Sequence, residues 1–224
     1  PFIFMNAVGT TSDVITMVHE GGHAVHSFLT HPLPITGFKN FPSEVAELAS
    51  MSMELLTMEH WHLIYTDPEE LRRAKRDQLE RVLSILPWVA TVDAFQHAIY
   101  THPEWTIKER SKAWVEIHQR FGGDVVDWSG LDKVRATLWH KQLHIFEGPF
   151  YYIEYAIAQL GAIGVWRNYK KNPTEALHMY TDALKLGYTR TLPEIYAKAG
   201  ISFDLSVSNV HELITFVREE LDRL

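Results

Sequence analysis

The sequence predicts an all-α fold with at most a very small sheet. Helix-start signals recur along the 224-residue chain, and the segments that follow them have helical length and end at proline or glycine. Strand signals are nearly absent, Ile35–Phe38 being a weak candidate. With 46% hydrophobic residues the chain can bury a sizeable core, as one large domain or two small ones.

Pro1 to Val8 is apolar and reads as extended chain or a helix end. Thr10 and Asp13 have capping-box spacing and open a first helix that runs to about Leu29, with Val14, Val18, Val25 and Phe28 as its candidate core positions. Gly21 and Gly22 inside it cost about 1 kcal/mol each relative to alanine, so a close approach of a neighbour is expected there. His31-Pro32-Leu33-Pro34 ends the helix. Pro42-Ser43-Glu44 opens a second, with an apolar stripe of Val45, Leu48, Leu55 and Leu56 and a lone carboxylate, Glu47, that is costly to bury unless paired or ligating a metal. Asp67-Pro68 starts a third helix with a charged face from Arg72 to Arg81; Pro87 is expected to kink or break it, with a further segment to Thr101. Helices are then expected over 105–121, up to Leu143, and over 150–169, 173–186, 192–198 and 208–223, with Gly187 and Gly200 as C-terminal caps.

Composition narrows the function. A net charge of -7 argues against nucleic-acid binding, which calls for a basic patch. The absence of cysteine excludes disulfides and thiolate metal sites and gives no reason to propose secretion, so a cytoplasmic location is expected. The longest apolar stretch, Val82 to Val92, contains Pro87 and is too short to span a bilayer, so no membrane partner is expected. The start at Pro1, without an initiator Met, leads us to expect a single domain over 1–224, cut from a longer protein with an upstream region.

The chemistry centres on His19-Glu20-Gly21-Gly22-His23, an H-E-x-x-H arrangement. Two histidines four residues apart share one helix face and can reach one metal ion, and the glutamate after the first can act as general base on an activated water. A catalytic zinc site normally has three protein ligands. His26 and Leu29 stand where a metzincin has glycine and its third histidine, so that class is excluded. A glutamate on the following helix could complete the set, either Glu47 or Glu44. A rival pair, His140 and His144 with Glu147, also has i, i+4 spacing but lacks a glutamate after its first histidine.

His19-Glu20-Gly21-Gly22-His23-Ala24-Val25-His26, with Ser43-Glu44-Val45-Ala46-Glu47-Leu48-Ala49-Ser50 downstream, resembles the thimet oligopeptidase and oligoendopeptidase F family of zinc metallopeptidases. Gly9-Thr10 with Asp13 and the run from His144 to Tyr155 look like the oligoendopeptidase branch, and Leu192-Pro193-Glu194, Ala199-Gly200 and Phe203-Asp204 look like the family's closing segment. The resemblance implies a zincin-like helical catalytic domain that holds one Zn2+ per chain on His19, His23 and Glu47, with Glu20 as catalytic base. It further implies that His144, Tyr151 and Tyr155 stabilise the tetrahedral intermediate, with Tyr152 as a further candidate. The implied activity is zinc-dependent endopeptidase cleavage of oligopeptides. The alternatives are carboxypeptidase action of the same type or a non-catalytic helical binding module.

Overall fold

The computed structural model describes residues 1–123 and 125–224, and among these it contains ten α-helices, three short 3-10 turns and no strand. The helices are α1 Thr11–Thr30, α2 Ser43–Thr57, α3 Pro68–Thr101, α4 Ile107–Gly122, α5 Asp132–Thr137, α6 His144–Glu147, α7 Ile153–Lys171, α8 Pro173–Leu184, α9 Leu192–Lys198 and α10 Val207–Asp222. Of Ile35–Phe38, the weak strand candidate, only Ile35 is extended, and the rest lies in a 3-10 turn over Thr36–Lys39. The chain divides into two compact units, one of residues 1–82 and 157–224 and the other of residues 83–156.

Local chemistry sets the helix starts of the first unit. Asp13 Oδ2 accepts from the backbone N–H groups of Thr10 at 2.6 Å and Val8 at 3.0 Å, and these bonds hold its carboxyl below the usual range. Asp67 Oδ1 accepts from the N–H groups of Glu69 and Glu70, both at 2.9 Å, with Pro68 as the first helical residue. After α9 and α8, Gly200 and Gly187 take left-handed φ values of 74° and 52°.

The core of this unit gathers around α2. Val45, Leu48, Ala49 and Leu56 pack with Val165 of α7, Tyr180 and Leu184 of α8, and Ile195 and Tyr196 of α9. Tyr180 donates its hydroxyl proton to the Ala49 carbonyl at 2.7 Å inside that core. Helix α1 packs against α2, and its buried positions are Ile15, Gly22, His26 and Thr30. The apolar positions expected there do not form its inner face: Phe28 is 64% exposed, and Val14, Val18 and Val25 are half-buried. The inner stripe is small and polar because the backbones approach closely. A Cβ on Gly22 would lie 2.6 Å from Ser50 Cα and 2.7 Å from the Ala49 carbonyl oxygen, whereas a Cβ on Gly21 would meet nothing within 4 Å. His26 is fully buried and stacks on Phe41, with ring centroids 3.6 Å apart. Neither ring nitrogen has a well-formed hydrogen bond, and burial pushes the imidazole down to about 3, with His23 adding to the effect and the Leu184 backbone opposing it.

In the second unit, Val89, Val92 and Phe95 of α3 pack with Trp114 of α4, Trp139, Ile145 and Tyr152. Trp114 donates its indole N–H to the Arg135 carbonyl at 3.0 Å. Helix α3 is continuous over 34 residues, so Pro87 does not break it. Proline removes one i to i−4 bond, and the apolar contacts of Val89, Val92 and Phe95 offset that loss. The uninterrupted helix is, by length and composition, apolar enough to cross a bilayer, but a core helix passes the same test. The helix expected through Leu143 stops at Thr137 and gives way to a 3-10 turn over Leu138–Lys141. The one expected from Phe150 starts at Ile153, because Pro149 and the left-handed Phe150 (φ 56°) keep the preceding turn out of helix.

Two variants test the α1–α2 contact. Gly22→Ala is expected to lower stability by about 1–3 kcal/mol through overpacking, despite alanine's better helix propensity. Gly21→Ala is expected to raise it by about 0.5–1 kcal/mol. Urea denaturation reads both, and equal effects would contradict the close approach. A third test uses pH. Burial holds His26 down to about 3 in the folded chain, while the unfolded chain protonates it near 6.5. Stability is therefore intact above pH 6.5 and falls by about 1.4 kcal/mol per pH unit on acidification towards 3. In His26→Leu that part of the slope is expected to vanish.

Candidate metal centre

Helix α1 carries His19, Glu20 and His23, and the close contact at Gly22 brings Glu47 of α2 up to both histidines. His19 Nε2 lies 3.5 Å from Glu47 Oε2, and His23 Nε2 lies 4.0 Å from Glu47 Oε1. The imidazoles stand edge to face with centroids 4.9 Å apart. One donor atom from each of the three residues lies within 4.8 Å of the other two, and His19, His23 and Glu47 form the one such group of three among the described residues. Tetrahedral zinc with donors at about 2.0–2.1 Å separates them by about 3.3 Å, so two imidazole nitrogens and a carboxylate at these spacings fit zinc with small side-chain adjustments.

The surroundings orient the donors. Glu47 is 9% exposed, and the hydroxyl of Ser50, itself fully buried, lies 3.1 Å from both its Oε2 and its backbone carbonyl oxygen and shares its proton between them. His19 Nδ1 lies 2.6 Å from Glu54 Oε1, so the ring nitrogen turned away from Glu47 is engaged by a carboxylate two helical turns further along α2. Such a partner fixes the tautomer and the ring plane of a ligating histidine. Burial pulls His19 down, but Glu54, followed by Glu47 and Glu20, outweighs it and leaves the imidazole above its ordinary value. His23 lies below its ordinary value because burial, helped by His19, outweighs Glu47 and Glu20. Glu20 influences both imidazoles electrostatically but is not one of the three clustered donors.

Sequence left Glu44 open as the third donor, and the structure brings Glu47 to the histidines instead. Glu44 lines a separate cavity of about 640 Å³ with Tyr188, Arg190 and Phe203. The rival His140–His144 pair is not on one helix: His140 sits in the 3-10 turn and His144 begins α6. Glu54 escaped sequence reasoning altogether. The available signal was a second carboxylate seven residues after Glu47, on the same face of a mostly apolar helix.

The second unit gathers the other expected residues. His144 Nε2 and Tyr155 Oη lie 3.4 Å apart, and the His144 ring stacks on Tyr151 with centroids 5.7 Å apart. Tyr151 precedes α7 rather than lying in the helix expected over 150–169, yet its ring still meets that of Tyr155 edge to face at 5.7 Å. Gly148 makes that turn possible, since a Cβ there would press on Tyr151 Cβ at 3.1 Å, and Gln96 donates to the Gly148 carbonyl at 3.1 Å. Tyr152 is committed to the core: it is 7% exposed, and its hydroxyl accepts from Trp88 at 3.1 Å and Gln142 at 2.8 Å.

Oligopeptidase PepF of Bacillus subtilis (strain 168) is 24% identical over 228 residues, covering all of this chain and 33% of that protein. An oligoendopeptidase F homolog of Mycoplasma pneumoniae is 27% identical over 225 residues, covering 92% of this chain and 35% of that protein. The chain thus spans about a third of the length of these curated relatives. A solved structure of Pz peptidase A with an inhibitor superimposes with a TM-score of 0.92 at 31% identity, over the whole of this chain and 40% of that one. The sequence model of peptidase family M3 matches residues 1–208, and the chain belongs to that family.

Proposed function

We propose that this chain is the zinc-bearing part of a metallo-oligopeptidase that hydrolyses peptide bonds in oligopeptides. The observation that carries the reading is the convergence of His19, His23 and Glu47 within 4.8 Å, with the H-E-x-x-H glutamate beside them. Membership of peptidase family M3 supports the reaction class. Zinc, when bound, would polarise the scissile carbonyl and bring the pKa of water towards about 7. His19 and His23 would present neutral nitrogens, and Glu47 a carboxylate that Ser50 keeps in place.

Glu20 serves as the proton carrier. Its carboxylate takes a proton from the attacking water and returns it to the leaving amine nitrogen, a role that contributes about 10²–10⁴-fold. His144, Tyr151 and Tyr155 are assigned as donors to the developing oxyanion, on the family resemblance and on their mutual contacts. Tyr152 is left out because its side chain is buried in the core of the second unit.

The reading is tested on the full-length protein that contains this chain. Wild type is expected to hold one zinc per chain by atomic absorption and to cleave a quenched fluorescent peptide until a chelator is added. Glu20→Gln is expected to retain zinc and lose at least about 10²-fold in kcat; equal rates for mutant and wild type would sink the assignment. Glu47→Ala is expected to lose the metal. Tyr155→Phe is expected to lower kcat by about 10²–10³-fold with little change in KM, as for loss of one oxyanion donor. Mass spectrometry of the products separates internal cleavage from removal of C-terminal residues.

A further inference from the structure

The carboxylate that engages His19 is itself held from a third helix. Gln78 of α3 is 1% exposed and donates from Nε2 to Glu54 Oε2 at 2.7 Å, while Glu54 Oε1 meets His19 Nδ1 at 2.6 Å. Chemistry fixes the direction of each bond. An ionised carboxylate only accepts, so Gln78 must turn its NH₂ group towards Glu54 and His19 must carry its proton on Nδ1. The lone pair of His19 then falls on Nε2, the nitrogen that faces Glu47 at 3.5 Å. The other end of the Gln78 amide, Oε1, is buried without a partner. An apolar side chain of the same size would avoid that penalty, so the donor end must offset it.

We propose that Gln78 is a positioning residue for the metal centre: acting through Glu54, it locks the tautomer and ring plane of His19 so that Nε2 is presented as a ligand. The proposal rests on the reading of His19, His23 and Glu47 as zinc ligands. It adds that α3, which supplies none of those ligands, sets part of the zinc affinity. Without Gln78, Glu54 keeps one partner and can rotate about its terminal torsion, and His19 loses the constraint on its ring.

The test is a double-mutant cycle on the full-length protein, with the zinc dissociation constant read by competition with a chromophoric chelator. Gln78→Met keeps the volume and removes the donor. It is expected to weaken zinc binding about tenfold, in the range found for outer partners of ligating histidines. In a Glu54→Gln background the same change is expected to cost nothing further, since Gln78 acts through Glu54. Full additivity of the two changes, or unaltered affinity in Gln78→Met, would overturn the proposal. A readout on wild type guards against a variant that does not fold: nitrogen-15 shifts of His19 in the zinc-free protein are expected to report the Nδ1–H tautomer, and an Nε2–H tautomer would overturn the proposal by itself. Failure of the underlying reading looks different, because wild type would then bind no zinc.

Discussion

The backbone contact between Gly22 and the Ala49–Ser50 peptide is the constraint on which the candidate centre depends. Helices carrying ordinary side chains at their contact pack about 8–10 Å apart. Here the missing Cβ lets α1 settle onto α2, and the three donors then bracket a space of zinc size. The same Ala49 carbonyl also accepts from Tyr180 of α8, which fixes the oxygen that Gly22 rests against. Ser50 contributes twice, as the backbone that Gly22 rests on and as the donor that steadies Glu47. Packing and ligand geometry share residues, which makes the centre a property of the helix pair rather than of the five-residue motif.

That arrangement explains why α1 buries so little aliphatic surface against α2. Its inner stripe of Ile15, Gly22, His26 and Thr30 is mostly small or polar, and Thr30 satisfies its hydroxyl on the His26 carbonyl at 3.1 Å. The helix is retained by its cap at Asp13, by tight van der Waals contact and by the electrostatics linking His19 to Glu47 and Glu54. His26 is the exception to polar satisfaction. It is a neutral ring stacked on Phe41, and it keeps the chain entering α2 in register with α1.

Features governed by local chemistry were legible in the sequence. The capping residues Asp13 and Asp67 and the span of α9 need only neighbouring residues to be understood, and the structure bears them out. Helix periodicity put His19 and His23 on one face, whereas the third donor stayed open between Glu44 and Glu47 until the family resemblance pointed to Glu47, the residue that meets both histidines. What failed depended on tertiary packing. Phe28 fitted the apolar periodicity of α1 yet faces outward, since the true inner face was set by the need for glycine. Pro87 was expected to kink or break α3, and the helix is not broken there, because the aromatic core of the second unit holds the residues that follow it. Glu54 and Gln78 carry no motif, and their part becomes visible only when three helices are seen together.

Gly22 has a consequence for how such a protein tolerates change. Every substitution at that position adds at least a Cβ, and the added atom meets backbone, which cannot rotate aside as a side chain would. The position therefore has no conservative replacement, although it touches neither the ligating atoms nor a reacting group. A screen that scores only lost activity would rank Gly22 beside Glu20, and it would take a measure of folded protein to tell a residue that spaces two helices from one that moves a proton.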